Sequence, residues 1–188
     1  QELGMPIIGR LRRRHAAILV TVLACHAPPT LAAEFCVSNT SALRQAIDLA
    51  EVNGENDDLR IVEGNYVLDA GLVLTVHEAF AVTLAGRWNA DCSAQDGGVS
   101  ALDGGGTVQI LYVYSDVNSA LTITDLYFSR GRGGPGSIDG GALSVETSGR
   151  NVRIERNLFI GNSDTNSAGA ARIAVSTSNS VLAIRNNV

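Results

Sequence analysis

The sequence predicts an all-β fold: a right-handed parallel β-helix with an N-terminal capping α-helix. Two observations carry this. Short aliphatic strands, apolar at i and i+2 and polar between, recur with a period of roughly 30 residues. One helical pattern, and only one, stands ahead of them.

The elements follow in order. Residues 5–33 read as a signal peptide: Arg10, Arg12, Arg13 and Arg14, then an apolar run from Ala16 to Ala24, then Pro28, Pro29 and the small pair Ala32 and Ala33. The apolar run is about half of the roughly 18 residues a bilayer crossing needs, so no transmembrane helix is expected in the mature chain. Cleavage near Ala33 is expected. Val22-Leu23-Ala24-Cys25 is similar to a bacterial lipobox, which makes lipidation at Cys25 the rival route.

Residues 34–58 read as a cap. Leu43, Ala46, Ile47 and Ala50 share one helical face between Ser41 and Val52, with Thr40 or Ser41 as N-cap and Asn53-Gly54 as the stop. Asp57 and Asp58 read as solvated turn residues at the cap junction. Residues 59–188 read as coils. Leu59 to Val62 is a strand and Gly64-Asn65 a turn.

The repeat is clearest late in the chain. Leu121-Thr-Ile123, Val152-Arg-Ile154 and Leu182-Ala-Ile184 superpose one period apart, and Phe128 matches Phe159 in the same way. A second strand, Leu143-Ser-Val145, matches Ile173-Ala-Val175, and Asn157 matches Asn187. Stacking puts Ile123, Ile154 and Ile184 in one interior column, with Phe128 and Phe159 in another. Outside, Asp125 comes one rung from Arg156 and Glu155 one rung from Arg185. The sequence stops at Val188 inside the third copy, so a chain truncated at its C-terminus is expected. An all-β sandwich is the alternative, but it does not explain two strands sharing one register.

Composition excludes some functions. All 14 basic residues of the 188 are arginine, and the net charge is −5. Without residues 1–33, 10 arginines face 18 acidic residues, a net charge of −8. That argues against nucleic-acid binding. His77 is then the only histidine, which excludes histidine-rich metal sites. Cys36 and Cys92 are the remaining cysteines, and in an exported chain they are expected to form a disulfide.

Thr40-Ser41-Ala42-Leu43-Arg44-Gln45-Ala46-Ile47 resembles the CSLREA segment that opens many bacterial surface β-helix proteins, without its leading cysteine and with Gln45 for its glutamate. Ile61-Val-Glu-Gly-Asn-Tyr66 resembles the strand and turn that follow it. Leu102-Asp-Gly-Gly-Gly106 and Ile184-Arg-Asn-Asn187 resemble coil turns of the pectin-lyase-like group. The resemblance implies export and a secreted or cell-surface life. The group includes adhesins, autotransporter passengers and carbohydrate-active enzymes.

Catalytic motifs are sparse. The Gly-His-Gly element of polygalacturonases is absent. Arg153-Ile154-Glu155 reads as an ordinary strand, and His77 as a strand end. Two-carboxylate hydrolysis needs acids roughly 5–10 Å apart across a cleft, and Asp103 lies instead in a glycine turn that its side chain serves. Gly133 to Asp139 belongs to a loop between Phe128 and Leu143; Ile138 stands where a calcium nonapeptide has Asp, so no cofactor is expected, with calcium as the alternative. Arg130 and Arg132 on this loop are the candidate contacts for an anionic partner. The expected function is a non-catalytic scaffold or adhesin-like protein that contacts glycans or cell-surface polymers. The alternative is a polysaccharide lyase or glycoside hydrolase whose active coils lie partly beyond Val188.

Overall fold

The computed structural model describes residues 32–134, 140–149, 151–177 and 180–188. The signal segment up to residue 31, the lipobox cysteine and residues 135–139 of the Gly133–Asp139 loop lie outside them. Ala33, the expected cleavage position, is the first residue of a strand.

Fourteen strands and one helix are described. The first sheet holds β1 (Ala33–Val37), β2 (Asp57–Val62), β5 (Val82–Trp88), β8 (Ala120–Thr124), β11 (Asn151–Glu155) and β14 (Val181–Arg185). The second holds β3 (Gly64–Val67), β6 (Ser100–Asp103), β9 (Tyr127–Ser129) and β12 (Leu158–Ile160). The third holds β4 (Leu72–Val76), β7 (Leu111–Ser115), β10 (Leu143–Thr147) and β13 (Ala171–Val175). Every described strand pair is parallel. From β2 onward the chain visits first, second and third sheet in fixed rotation, so each strand pairs with its counterpart one circuit later.

The alternation of side chains turns this register into three interior columns. Leu59, Leu84, Ile123, Ile154 and Ile184 are successive partners in the first sheet. Tyr66, Leu102, Phe128 and Phe159 are partners in the second. Leu74, Val113, Val145 and Ile173 are partners in the third. The Phe128 and Phe159 rings stack with centroids 4.9 Å apart. Ile123 and Ile154 are buried, while Ile184 on the outermost strand is 53% exposed.

Helix α1 (Thr40–Ala50) lays Leu43, Ala46, Ile47 and Ala50 on β1, β2 and β4, closing one end of the columns. Full burial of Leu43 and Ile47 contributes roughly 2 kcal/mol each. Its N-cap is Asn39, not Thr40 or Ser41. Asn39 is extended and its side chain accepts the Ala42 N–H at 2.9 Å, while Thr40 is already helical. Beneath the helix the Tyr66 hydroxyl donates to the Val37 or Val62 carbonyl, 2.8 and 2.9 Å away, and burial pushes its pKa up to about 12.

Three further readings need correction. Gly64-Asn65 is not the turn but the start of β3. Asp57 is not a solvated turn residue: it opens β2, is buried, and accepts from Asn53 Nδ2 at 2.6 Å. Val145 pairs with Ile173 rather than with the expected Val175, so the third-sheet register is slipped by two positions. Such a slip leaves the same faces inward, so alternation alone does not detect it.

Left-handed residues mark the way out of the first sheet: Arg87, with φ of 64°, still inside β5 and ahead of the loop 89–99, and Asp125, Arg156 and Asn186, with φ of 59°, 55° and 53°, directly after β8, β11 and β14. Gly86 precedes the first of these because a Cβ there would lie 2.2 Å from the Asp125 carbonyl oxygen. Inside the corner after β8, Asn157 Oδ1 accepts the Leu126 N–H at 3.0 Å and its Nδ2 donates to the Ile123 carbonyl at 2.9 Å. One rung on, Asn187 accepts the Asn157 N–H and donates to the Ile154 carbonyl. This asparagine ladder satisfies backbone groups that the corner takes out of the strand ladder.

Candidate functional site

The third sheet turns two columns of side chains outward: Val73, Tyr112, Ser144 and Arg172; and Thr75, Tyr114, Glu146 and Ala174. The run Leu111-Tyr-Val-Tyr-Ser115 buries Leu111 and Val113, which forces both tyrosines to the outside. Glu146 ties the columns together. Its Oε1 accepts from Arg172 Nη1 at 2.5 Å and its Oε2 accepts from the Tyr112 hydroxyl at 3.3 Å. Burial, aided by the Glu146 charge, holds the Tyr112 phenol above its ordinary pKa, so Tyr112 donates to Glu146 as a neutral group.

Tyr114 is 36% exposed and stands at the edge of a shallow hollow of about 270 Å³. Glu146, Ser148 and Ser176 line it, with the two serine hydroxyls 3.1 Å apart. His77, just past β4, presents its ring edge-on to Tyr114 at 6.4 Å and pairs through Nδ1 with Asp116 at 3.1 Å. An aromatic face flanked by a carboxylate and hydroxyls suits stacking and hydrogen bonding to a polyhydroxylated ring.

The sequence singled out other residues. Arg130 ion-pairs with Asp103, and Asp103 also accepts the Gly105 N–H at 2.9 Å. The Arg130 hydrogen bonds hold the Asp103 carboxyl below its ordinary pKa against the opposing effect of burial. Arg130 is thus spent on joining two rungs. Arg132 is exposed; its N–H donates to the Val108 carbonyl at 2.8 Å and it bridges Ser163. Arg156 grips Asp125 through Nε at 2.9 Å and Nη2 at 2.7 Å. Glu155 turns to Arg153 at 3.1 Å and Arg156 at 3.6 Å. Cys36 and Cys92 form a disulfide that fastens β1 to the loop after β5. The sequence does not single out the group of Tyr112, Tyr114, Glu146 and Arg172, although the alternation at 111–115 marks both tyrosines as outward.

Among the described residues, no group of three or more His, Cys, Asp or Glu side chains is placed to hold a metal ion. No described helix is long and apolar enough to cross a membrane. No family model, curated protein or solved structure matches the chain.

Proposed function

We propose that this chain is a right-handed parallel β-helix, exported by its basic and apolar leader, that serves as a non-catalytic secreted or cell-surface scaffold with adhesin-like contact to neutral glycans. One observation carries the reading: on the outward face of the third sheet the carboxylate is already committed while the ring beside it is open. Glu146 is already bonded to Arg172 and Tyr112, and Tyr114 remains exposed beside a hydroxyl-lined hollow. General acid–base chemistry needs a group free to exchange its proton with substrate. Contact needs only a fixed surface, and a solenoid supplies a stiff, extended one. The negative charge of the chain disfavours acidic polymers, which leaves neutral ones.

The test is retention on insoluble neutral glucans beside polygalacturonate, with assays for released reducing and unsaturated ends. Binding to a neutral glucan that Tyr114→Ala weakens at least fivefold, with no product released, is expected. Release of sugar ends, abolished by Glu146→Gln, would replace the scaffold with an enzyme.

A further inference from the structure

A second concavity lies around the corner, on the second sheet. It is a groove of about 500 Å³ lined by Arg87, Val99, Asp125, Tyr127, Arg156 and Leu158, with Gly98 and Leu126 completing it. That volume is within the roughly 300–1,000 Å³ of small-molecule sites. Its floor is apolar. Tyr127 and Leu158 are register partners facing outward, and Val99 is 60% exposed.

Its rim is cationic. Among the lining residues two arginines meet one carboxylate, Asp125. Asp125 is fully engaged by Arg156, by the Thr124 hydroxyl at 2.7 Å and by Gln95 Nε2 at 3.1 Å. Burial would raise its pKa, but these bonds and the nearby Arg87 charge outweigh that and hold it below the ordinary value. Arg87 is different. Its side chain is exposed, and its charge acts on Asp125 from a distance, with no salt bridge from its guanidinium among the described residues. Its backbone, however, is fixed: the N–H donates to Ser100 Oγ at 2.8 Å, and the carbonyl accepts the Gly97 N–H at 2.8 Å. Glu63 accepts the Gly98 N–H at 2.5 Å and is not among the lining residues. A charge on a pinned stretch of backbone beside exposed apolar side chains is arranged for an anion that carries an apolar body.

We infer that the groove between Arg87 and Leu158 binds a small aromatic carboxylate, its ring on Val99, Tyr127 and Leu158 and its carboxylate on Arg87. The planar fork of arginine accepts a carboxylate through two parallel hydrogen bonds, and Tyr127 and Leu158 give the ring an apolar seat. This site is independent of the third-sheet face.

The experiment titrates the full chain with 2-naphthoate, followed by its fluorescence, beside 2-naphthylmethanol and galacturonate. Saturable naphthoate binding is expected, with the alcohol binding at least tenfold more weakly and galacturonate failing to compete. Arg87→Gln and Val99→Asp should each weaken naphthoate at least tenfold without lowering Tm. Val99→Asp places a like charge in the groove at an exposed position, so it tests the site even if the Arg87 variant folds poorly. Equal affinity for the alcohol, displacement by galacturonate, no binding at millimolar naphthoate, or two variants that bind like the parent would each overturn the inference.

Discussion

Asparagine at position 157 offers the sharpest perturbation. The residue is 1% exposed, and its amide serves two backbone groups: it accepts the Leu126 N–H and donates to the Ile123 carbonyl. Asn157→Ala strips both partners at once. A buried backbone group left without a partner costs about 1–3 kcal/mol. Two such groups therefore imply a loss of about 2–6 kcal/mol, with about 3 kcal/mol a working value, a large share of the stability of an ordinary domain. At about 2–4 °C per kcal/mol for a chain of this size, Tm should fall by roughly 6–12 °C. The control is Asn187→Ala, one rung on. Asn187 serves the Asn157 N–H at 2.9 Å and the Ile154 carbonyl at 2.7 Å in the same way but is only half-buried, so water can replace both lost partners and the cost should stay near about 1 kcal/mol. Urea unfolding of both variants reads the difference directly. Equal losses from the two variants, at an unchanged m-value, would refute the idea that burial of this corner sets the cost.

Other outcomes follow from the same geometry. Gly86→Ala should cost about 2 kcal/mol, because its Cβ would meet the Asp125 carbonyl oxygen at 2.2 Å; a melt unchanged from the parent contradicts the close approach. Replacing Cys36 and Cys92 together by Ser should lower stability by about 4 kcal/mol on the chain-entropy account of a 56-residue separation, measured by denaturant titration without reductant. Burial, only partly offset by Asn53, raises the Asp57 pKa, so its stabilisation is complete below the unfolded carboxylate pKa and is lost as pH rises through the folded value. Asp57→Asn should therefore gain on the parent between pH 3 and pH 7 in thermal melts. Asp125 has the opposite sign: its pKa is lowered, and its contribution is lost as pH falls through the folded value, so Asp125→Asn should converge on the parent in acid.

What the sequence reveals and what it hides have physical reasons. The Ile123, Ile154 and Ile184 register is legible because β8, β11 and β14 are joined by circuits of nearly constant length. The earlier circuits are not so regular. The one that carries Asp57 to its partner Val82 is shorter, and the one from Val82 to Leu121 is longer, since loops absorb insertions without moving the columns. Helix α1 is legible from its apolar face, but its cap is not. Asn39, Thr40 and Ser41 are all competent N-caps, and only backbone conformation chooses among them. The third-sheet group is hidden for another reason. Tyr112, Glu146 and Arg172 meet across three circuits and diagonally, so no sequence spacing brings them together. Arg87 is hidden because its place depends on a left-handed conformation inside β5, at a residue type that ordinarily avoids one.

Successive circuits stack in one register, and methyl contacts in the interior test that most directly. In protein labelled at Ile, Leu and Val methyls, nuclear Overhauser contacts should link Ile123 to Ile154 and Ile154 to Ile184. None should link Ile123 to Ile184, since two rungs of roughly 4.8 Å separate them. A direct contact between Ile123 and Ile184, or Ile154 methyls lacking contact to either, would contradict the stacked register.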